Sequence, residues 1–341
     1  MGAKDLVLVT GGTGYIGSWC IIELLRQGYH VRTTLRDKGR SGELRTAIAR
    51  EIREIENFET IKANLESDEG WPEAVTGCRY VLHVASPFPR KQPKDANEII
   101  RPAHEGTLRV LKACLDANVE RVVLTSSSSA MAYPAVESPG PITEESWTDP
   151  NHPSATPYVK SKVLAEEAAW EFVSNNGRTD LLTVIAPSTV LGPVLNKDFS
   201  YSLQAVARLL DGSAPGIPRL GFSFVDVRDV ADLHLRAMTT PEAGGQRYLA
   251  SGGFHWLEEI AAILRSGLGA EAKRVPKWRA PDFMIKLLAM FDPEVRSVAR
   301  ELGRQRVFSS EKAHQMFGWT PRPFPLTVVD CATSLIWARA V

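Results

Sequence analysis

The sequence predicts an α/β fold: a doubly wound parallel sheet, joined to a smaller, discontinuous C-terminal domain. Three observations carry this. Short apolar strands alternate with helix-patterned segments through the first two thirds of the 341 residues, as repeated strand–helix–strand units do. The strand runs are almost continuously apolar, which suits a sheet covered on both faces. A glycine-rich turn joins the first strand directly to the first helix.

Taken in order, the expected strands are Leu6–Thr10, Val31–Leu35, Glu59–Ala63, Tyr80–Ala85, Arg121–Ser126 and Leu181–Ala186. Helix patterning fills Tyr15–Gln27, Ser41–Glu54, Ala96–Ala117 and Tyr158–Asn175 between them. After residue 187 the texture changes. "APSTVLGPVLNKDFS" and "DGSAPGIPRLGF" read as loops around a helix near 201–211, "VDVRDVADLHLRAM" returns to strand-then-helix, and "GQRYLAS" offers another strand. The last stretch carries amphipathic helices with Pro-rich joins. The expected domains are 1–187 plus about 220–250 for the nucleotide-type domain, and about 188–219 plus 251–341 for the substrate domain, with a cleft between them. In "PKWRAPDFMIKLLAMFDPEV", Phe283, Leu287, Met290 and Phe291 recur at helical spacing and are expected to pack in a domain core. The alternative is a hydrophobic wall over a substrate.

Composition excludes several function classes. Lys+Arg and Asp+Glu both number 40, so no basic field for nucleic acid or anionic membrane is implied. No stretch reaches the roughly 20 apolar residues of a membrane span. The first residues hold too short an apolar run for a signal peptide, and Leu6 stands where myristoylation wants Ser or Thr. Cys20, Cys78, Cys114 and Cys331 are scattered, which suggests buried free thiols in a reducing, cytoplasmic setting. The histidines lack metal-ligand spacing, so no metal is expected.

The strongest feature is "LVLVTGGTGYIGSWCIIELL". A strand enters Gly11-Gly12-Thr13-Gly14-Tyr15-Ile16-Gly17 and a helix follows at once. Gly11 permits the tight turn, Gly14 lets the backbone approach a pyrophosphate, and Gly17 lets helix and strand pack closely. The helix N-terminus then offers N–H groups and partial positive charge to phosphates. This is a Rossmann-type dinucleotide site, with Gly11, Thr13, Gly14, Tyr15, Ile16 and Gly17 as cofactor contacts. An acid ending the second strand would bind the ribose of NAD. The strand-terminal position here is Leu35, followed by Arg36, whose guanidinium suits the 2′-phosphate of NADP. Asp37 has the right distance for the acid but reads as the start of a turn. NADPH is therefore the expected cofactor.

"YVKSK" places Tyr158 and Lys162 four apart on one helix face. Carbonyl reduction needs a proton donor beside a hydride donor. A tyrosine can serve, and a neighbouring lysine would lower its pKa from about 10 and hold the nicotinamide ribose. A hydroxyl ending the fifth strand would complete the set, and "RVVLTSSSSAMAY" supplies Ser126 to Ser129. His83, inside an apolar strand, reads as a packed core histidine.

The GxxGxxG spacing resembles the extended branch of the short-chain dehydrogenase/reductases. With "VLHVASPFP", "RVVLTSS", "YVKSKVLAEEAAWEF", "VDVRDVADLHLRAM" and "SSEKAHQMFGWTPRP", the chain from about residue 6 to 325 is similar to the dihydroflavonol reductase, cinnamoyl-CoA reductase and yeast methylglyoxal-reductase-like group. The resemblance implies Ser127 as the catalytic serine, with Ser128 the other register, beside Tyr158 and Lys162. It implies Asn64 and Leu65 near the adenine, where the family usually has Asp-Leu, and Val84, Ala85 and Ser86 under the cofactor ribose. Pro187 and Val190 fall by the nicotinamide, Ser202 is a further cofactor contact, and Phe88, Met131, Phe199, Tyr201 and Leu203 fall in the substrate pocket. The expected activity is NADPH-dependent reduction of a small, hydrophobic or aromatic carbonyl substrate, by a monomer or homodimer.

Two alternatives stay open. A nucleotide-sugar epimerase or dehydratase with bound NAD shares the fold and YxxxK, but usually carries arginine and histidine where this chain has Phe222 and Asp226. A dinucleotide-sensing regulator needs no catalytic residues at all.

Overall fold

The computed structural model describes residues 5–338 other than 54, 88–94, 135–138, 197–200, 215, 292–294 and 296–298; the side chain of Tyr201 also lies outside the description. Among the described residues the strands are β1 (Leu6–Thr10), β2 (His30–Leu35), β3 (Phe58–Lys62), β4 (Tyr80–His83), β5 (Arg121–Thr125), β6 (Leu182–Pro187), β7 (Thr189–Leu191), β8 (Gly221–Asp226), β9 (Gln246–Ala250) and β10 (Phe254–Trp256). The chain divides into two compact units.

The first unit comprises Met1–Pro187, Arg228–Ala250 and Ser310–Trp319. Its seven-stranded sheet runs β3-β2-β1-β4-β5-β6-β9, every neighbouring pair parallel. The strand order reverses between β1 and β4, the switch point at whose carboxyl edge doubly wound sheets bind ligands. The connections are α1 (Tyr15–Arg26), α2 (Ser41–Ala49), α3 (Trp71–Val75), α4 (Asn97–Asp116) and α5 (Pro157–Asn175). Residues of β1, β4, β5 and β6 are buried throughout or nearly so, as the unbroken apolar runs require. One core cluster joins Leu8, Val81, Val122 and Val184 of the strands to Val110 and Leu111 of α4 and to Ala169 and Val173 of α5.

Several boundaries differ from the sequence expectation, two of them for identifiable reasons. β4 stops at His83 because the Ala85 N–H leaves the ladder and donates to Thr10 Oγ1 at 2.9 Å. β3 and β6 are each shifted by one residue, to Phe58–Lys62 and Leu182–Pro187. α2 ends at Ala49 rather than continuing to 54, because the chain must return to seat Asn57, whose carbonyl accepts the Val31 N–H at 2.8 Å.

The second unit comprises Ser188–Val227, Ser251–Ser309 and Thr320–Val341. Its three-stranded sheet runs β10-β8-β7, with β8 antiparallel to β10 and parallel to β7. Helices α6 (Gln204–Asp211), α8 (Leu257–Leu268) and Phe324–Trp337 pack with one another. The Thr327 hydroxyl donates to buried Asp226 at 2.9 Å, and Phe324 stacks on His255 at 3.7 Å between ring centroids.

The division departs from the expected boundaries at two places. Residues 220–227 belong to the second unit, because β8 pairs with β7 and β10 rather than joining the large sheet. Ser310–Trp319 belongs to the first: the indole of buried Trp319 donates to the Asp229 carbonyl at 3.0 Å, and Phe317 meets Tyr248 edge-on. The core role expected for "FMIKLLAMF" is also corrected. Helix α9 (Asp282–Leu288) buries none of its residues, and Phe283, Leu287, Met290 and Phe291 are exposed. Among the described residues no helix is long and apolar enough to cross a membrane.

Candidate active site

The glycine loop follows β1 at the switch point. Gly11 sits at φ +71°, a left-handed conformation that disfavours a side chain, and a methyl there would meet Ala85 at 3.0 Å. Gly17 faces the Gly11 carbonyl, which a methyl would approach to 2.5 Å, so only glycine lets α1 start so close to the turn. Gly12, absent from the sequence-based set of contacts, is held by packing: a methyl there would run into the Thr33 hydroxyl and lie 2.6 Å from Ile21 Cδ1. The signal was its place in the glycine pair, but its neighbour on β2 is visible only in the fold. Thr33 and Thr34 brace the turn, the first donating to the Val9 carbonyl at 2.6 Å and the second accepting the Gly11 N–H at 3.1 Å.

Gly14 is exposed at the head of α1, Thr13, Tyr15 and Ile16 are half-buried around it, and no acid stands in the helix's first turn. A glycine cradle that a Cβ would fill, at a helix N-terminus without opposing charge, fits a dinucleotide pyrophosphate. Past β2, Arg36 is exposed, while Asp37 turns its carboxylate back to accept the Gly39 N–H at 2.8 Å. That acid caps a one-turn helix over Lys38–Arg40 and is engaged there. Asn64 likewise uses its side-chain oxygen in a local turn, accepting the Glu66 N–H at 3.3 Å, while Leu65 packs against Gly106. Val84, Ala85 and Ser86 follow β4, half-buried beside the glycine loop. His83 is 1% exposed and its Nδ1 lies 2.9 Å from Thr10 Oγ1. Thr10 Oγ1 also accepts the Ala85 N–H, and His83 Nε2 has no hydrogen-bond partner among the described residues. Burial and the nearby Lys162 charge push His83 down to about 3, so it is neutral.

Helix α5 begins with Thr156, whose hydroxyl accepts the Val159 N–H at 3.3 Å, and with Pro157 in its first turn. This start aims Tyr158 at the end of β5, where its side chain hydrogen-bonds to Ser127. Three of the four serines divide the work. Ser126 donates to Glu166, Ser127 accepts the Ser129 N–H at 3.1 Å and meets Tyr158, and the Ser129 carbonyl accepts from Thr148 at 2.7 Å. Burial pushes the Tyr158 phenol up and the Ser127 bond opposes it, so the expected lowering by the lysine does not prevail. Lys162, 8% exposed, donates to the Thr125 carbonyl at 3.3 Å. Burial pushes Lys162 down to about 8, against the pull of Glu166.

Pro187 ends β6, buried. In the second unit Val190 lies on β7 and its carbonyl accepts from the Ser202 hydroxyl at 2.7 Å. Met131 and Leu203, expected to line the substrate pocket, are fully buried within their own units and offer no accessible surface. Phe88 and Phe199 lie outside the described residues, as does the side chain of Tyr201.

A doubly wound sheet with a glycine loop at its switch point, and a Ser–Tyr–Lys set at the neighbouring strand ends, defines a Rossmann-fold oxidoreductase of the extended short-chain dehydrogenase/reductase class. Residues 7–250 match the family model described as the NAD dependent epimerase/dehydratase family, and the chain belongs to that family. Cinnamoyl-CoA reductase CAD2 of Medicago truncatula is 38% identical over 266 residues, covering 76% of this chain and 80% of the relative. Dihydroflavonol 4-reductase of Zea mays is 33% identical over 285 residues, covering 82% of this chain and 76% of the relative. Among solved structures, yeast methylglyoxal/isovaleraldehyde reductase Gre2, complexed with NADPH, superposes with a TM-score of 0.81 at 25% identity, covering 98% of this chain and 100% of that one.

Proposed function

We propose that the protein is an NADPH-dependent reductase of hydrophobic or aromatic aldehydes and ketones. The observation that carries this is the convergence of Ser127, Tyr158 and Lys162 at the carboxyl edge of β5, beside the switch-point glycine loop. The reductases among its relatives, and the NADPH of the yeast structure, support the same reading. NADPH, when bound, supplies the hydride. The loop Gly11–Gly17 and the first turn of α1 would hold its pyrophosphate, and Arg36 its 2′-phosphate. Ser127 donates a hydrogen bond to the substrate oxygen and so stabilises negative charge developing there. Tyr158, held neutral by burial, keeps its proton at physiological pH and delivers it to that oxygen from the phenol. Lys162 would hold the ribose hydroxyls with its ammonium, whose charge offsets that of the phenol as it loses its proton.

The epimerase alternative is less well supported. Asp226, standing where those enzymes usually carry histidine, is buried and bonded to Thr327, and Phe222 replaces the nucleotide-binding arginine. The test is consumption of NADPH and of NADH with a panel of aromatic and aliphatic carbonyls, run beside Tyr158→Phe. The expected result is turnover with NADPH, much less with NADH, and an inactive variant. Protein that turns over no carbonyl yet retains bound NAD would move the epimerase reading forward. Tight dinucleotide binding without turnover of any kind would favour the regulator.

A further inference from the structure

Helix α5 carries a third titratable side chain in register with Tyr158 and Lys162. Glu166 follows Lys162 by four residues, so it shares their face one turn deeper, and it is only 1% exposed. A buried carboxylate is costly unless it is paired and hydrogen-bonded. This one has partners from three directions. The Ser126 hydroxyl, at the end of β5, donates to Oε2; the Trp170 indole donates to Oε1 at 3.3 Å; and Arg247 Nε of β9 lies 2.8 Å from Oε1. Arg247 is itself fixed. Its guanidinium lies 3.7 Å over the Trp147 ring and donates to the carbonyls of Glu144 and Ser146 at 3.0 and 3.1 Å.

Among the described residues, Glu166 is the one charge that acts on Lys162. His83 faces it from β4 and is neutral, the Thr125 carbonyl of β5 accepts from it, and Tyr158 on its own helix keeps its proton. His234 of α7 (Val227–Thr239) occupies the Thr125 hydroxyl at 2.7 Å and is also held neutral by burial. Around Glu166 stand Arg247 and, on α5, Glu167, whose carboxyl is raised by burial and by Glu166 itself. Glu166 is therefore the carboxylate that sustains the Lys162 ammonium against burial.

We propose that Glu166, clamped by Ser126 and Arg247, is a positioning residue that keeps Lys162 in its ammonium form and so sets the upper pH limit of the active site. The proposal rests on the reading of Lys162 as the lysine that holds the cofactor ribose. The sign follows from the chemistry. A lysine loses its charge as pH rises, so removing the neighbouring carboxylate charge moves that loss to lower pH.

The experiment compares wild type with Glu166→Gln, which removes the charge, and Glu166→Asp, which keeps it. The Lys162 ionisation midpoint is read from its Cε shift in 13C-lysine-labelled protein without cofactor, assigned with Lys162→Met. NADPH affinity is read by fluorescence titration across the same pH range. In Glu166→Gln the midpoint is expected to fall by about one pH unit, so NADPH binding stays near wild type at about pH 6 and weakens about tenfold at about pH 8.5. Glu166→Asp keeps the midpoint near wild type. An unchanged midpoint in Glu166→Gln, or an equal shift in Glu166→Asp, overturns the proposal and leaves Glu166 a purely structural residue. If Glu166→Gln fails to fold with Arg247 stranded, the charge removal is read on the Arg247→Gln background, where the double variant is compared with Arg247→Gln alone and the midpoint is again expected to fall. A midpoint that falls while NADPH affinity is unmoved at every pH overturns the link to the active site, and with it the ribose role of Lys162 rather than the coupling.

Discussion

Arg36 leaves β2 exposed while the adjacent Asp37 spends its carboxylate on the Gly39 N–H. The acid that would favour NAD is thus turned away, which leaves the exposed guanidinium as the proposed contact for a 2′-phosphate. Arg36→Ala should weaken NADPH about 10- to 100-fold, the worth of one charge-assisted bond, and leave NADH unchanged. Fluorescence titration with both cofactors checks it, and equal losses for the two would show that Arg36 does not read the phosphate. Gly12 makes a stability prediction. Gly12→Ala forces a methyl onto Thr33 and Ile21, both fully buried, and should cost about 1–3 kcal/mol in urea unfolding. The two residues differ in how legible they were. Arg36 could be placed by counting along one strand, whereas the Gly12 constraint comes from a neighbouring strand. The serine register is intermediate: four consecutive hydroxyls are equivalent on paper, Ser127 and Ser128 are both candidates there, and it is Ser127 that bonds to Tyr158.

At the scale of elements, α5 is the piece on which the proposed chemistry depends. Its N-cap fixes the first turn, and Tyr158 is in that turn. Thr156→Ala removes the acceptor of the Val159 N–H and should destabilise the protein by about 1 kcal/mol. The same variant should lower kcat more than it raises KM for NADPH, because Tyr158 is disturbed before the deeper Lys162. Thr156→Ser, which keeps the cap, should restore both, and steady-state kinetics with urea unfolding would show whether it does. The large sheet was readable because its strands are short, apolar and buried on both faces, so local composition marks each one. The small sheet was not. β7 and β10 have three residues each, and the pairing of β8 with them is a non-local choice that its sequence shares with any strand of the large sheet. The exposed face of α9 fails for the converse reason: helical spacing of apolar residues predicts amphipathicity, not what covers it.

For the whole molecule, acid stability is governed in part by two histidines buried in the first unit. His234 donates from Nδ1 to the Val230 carbonyl and accepts the Thr125 hydroxyl at Nε2, both at 2.7 Å, while His83 shares a hydrogen bond with Thr10 through Nδ1. Charging His234 would reverse the roles at the Thr125 hydroxyl, and charging His83 would leave a buried Nε2–H with no acceptor among the described residues. Burial therefore holds His83 down to about 3 and His234 to about 4, against about 6.5 in the unfolded chain. Below pH about 6.5 the unfolded chain binds protons that the folded one refuses, so stability falls as pH falls, until the folded-state values are reached. Between pH 6 and 5 the pair should together remove about 2 kcal/mol, seen as a falling urea midpoint at constant slope. His83→Gln and His234→Gln, each less stable at neutral pH through a lost buried bond, should each flatten this dependence by about one proton. A pH slope unchanged in both variants would show that the two histidines do not set the acid sensitivity.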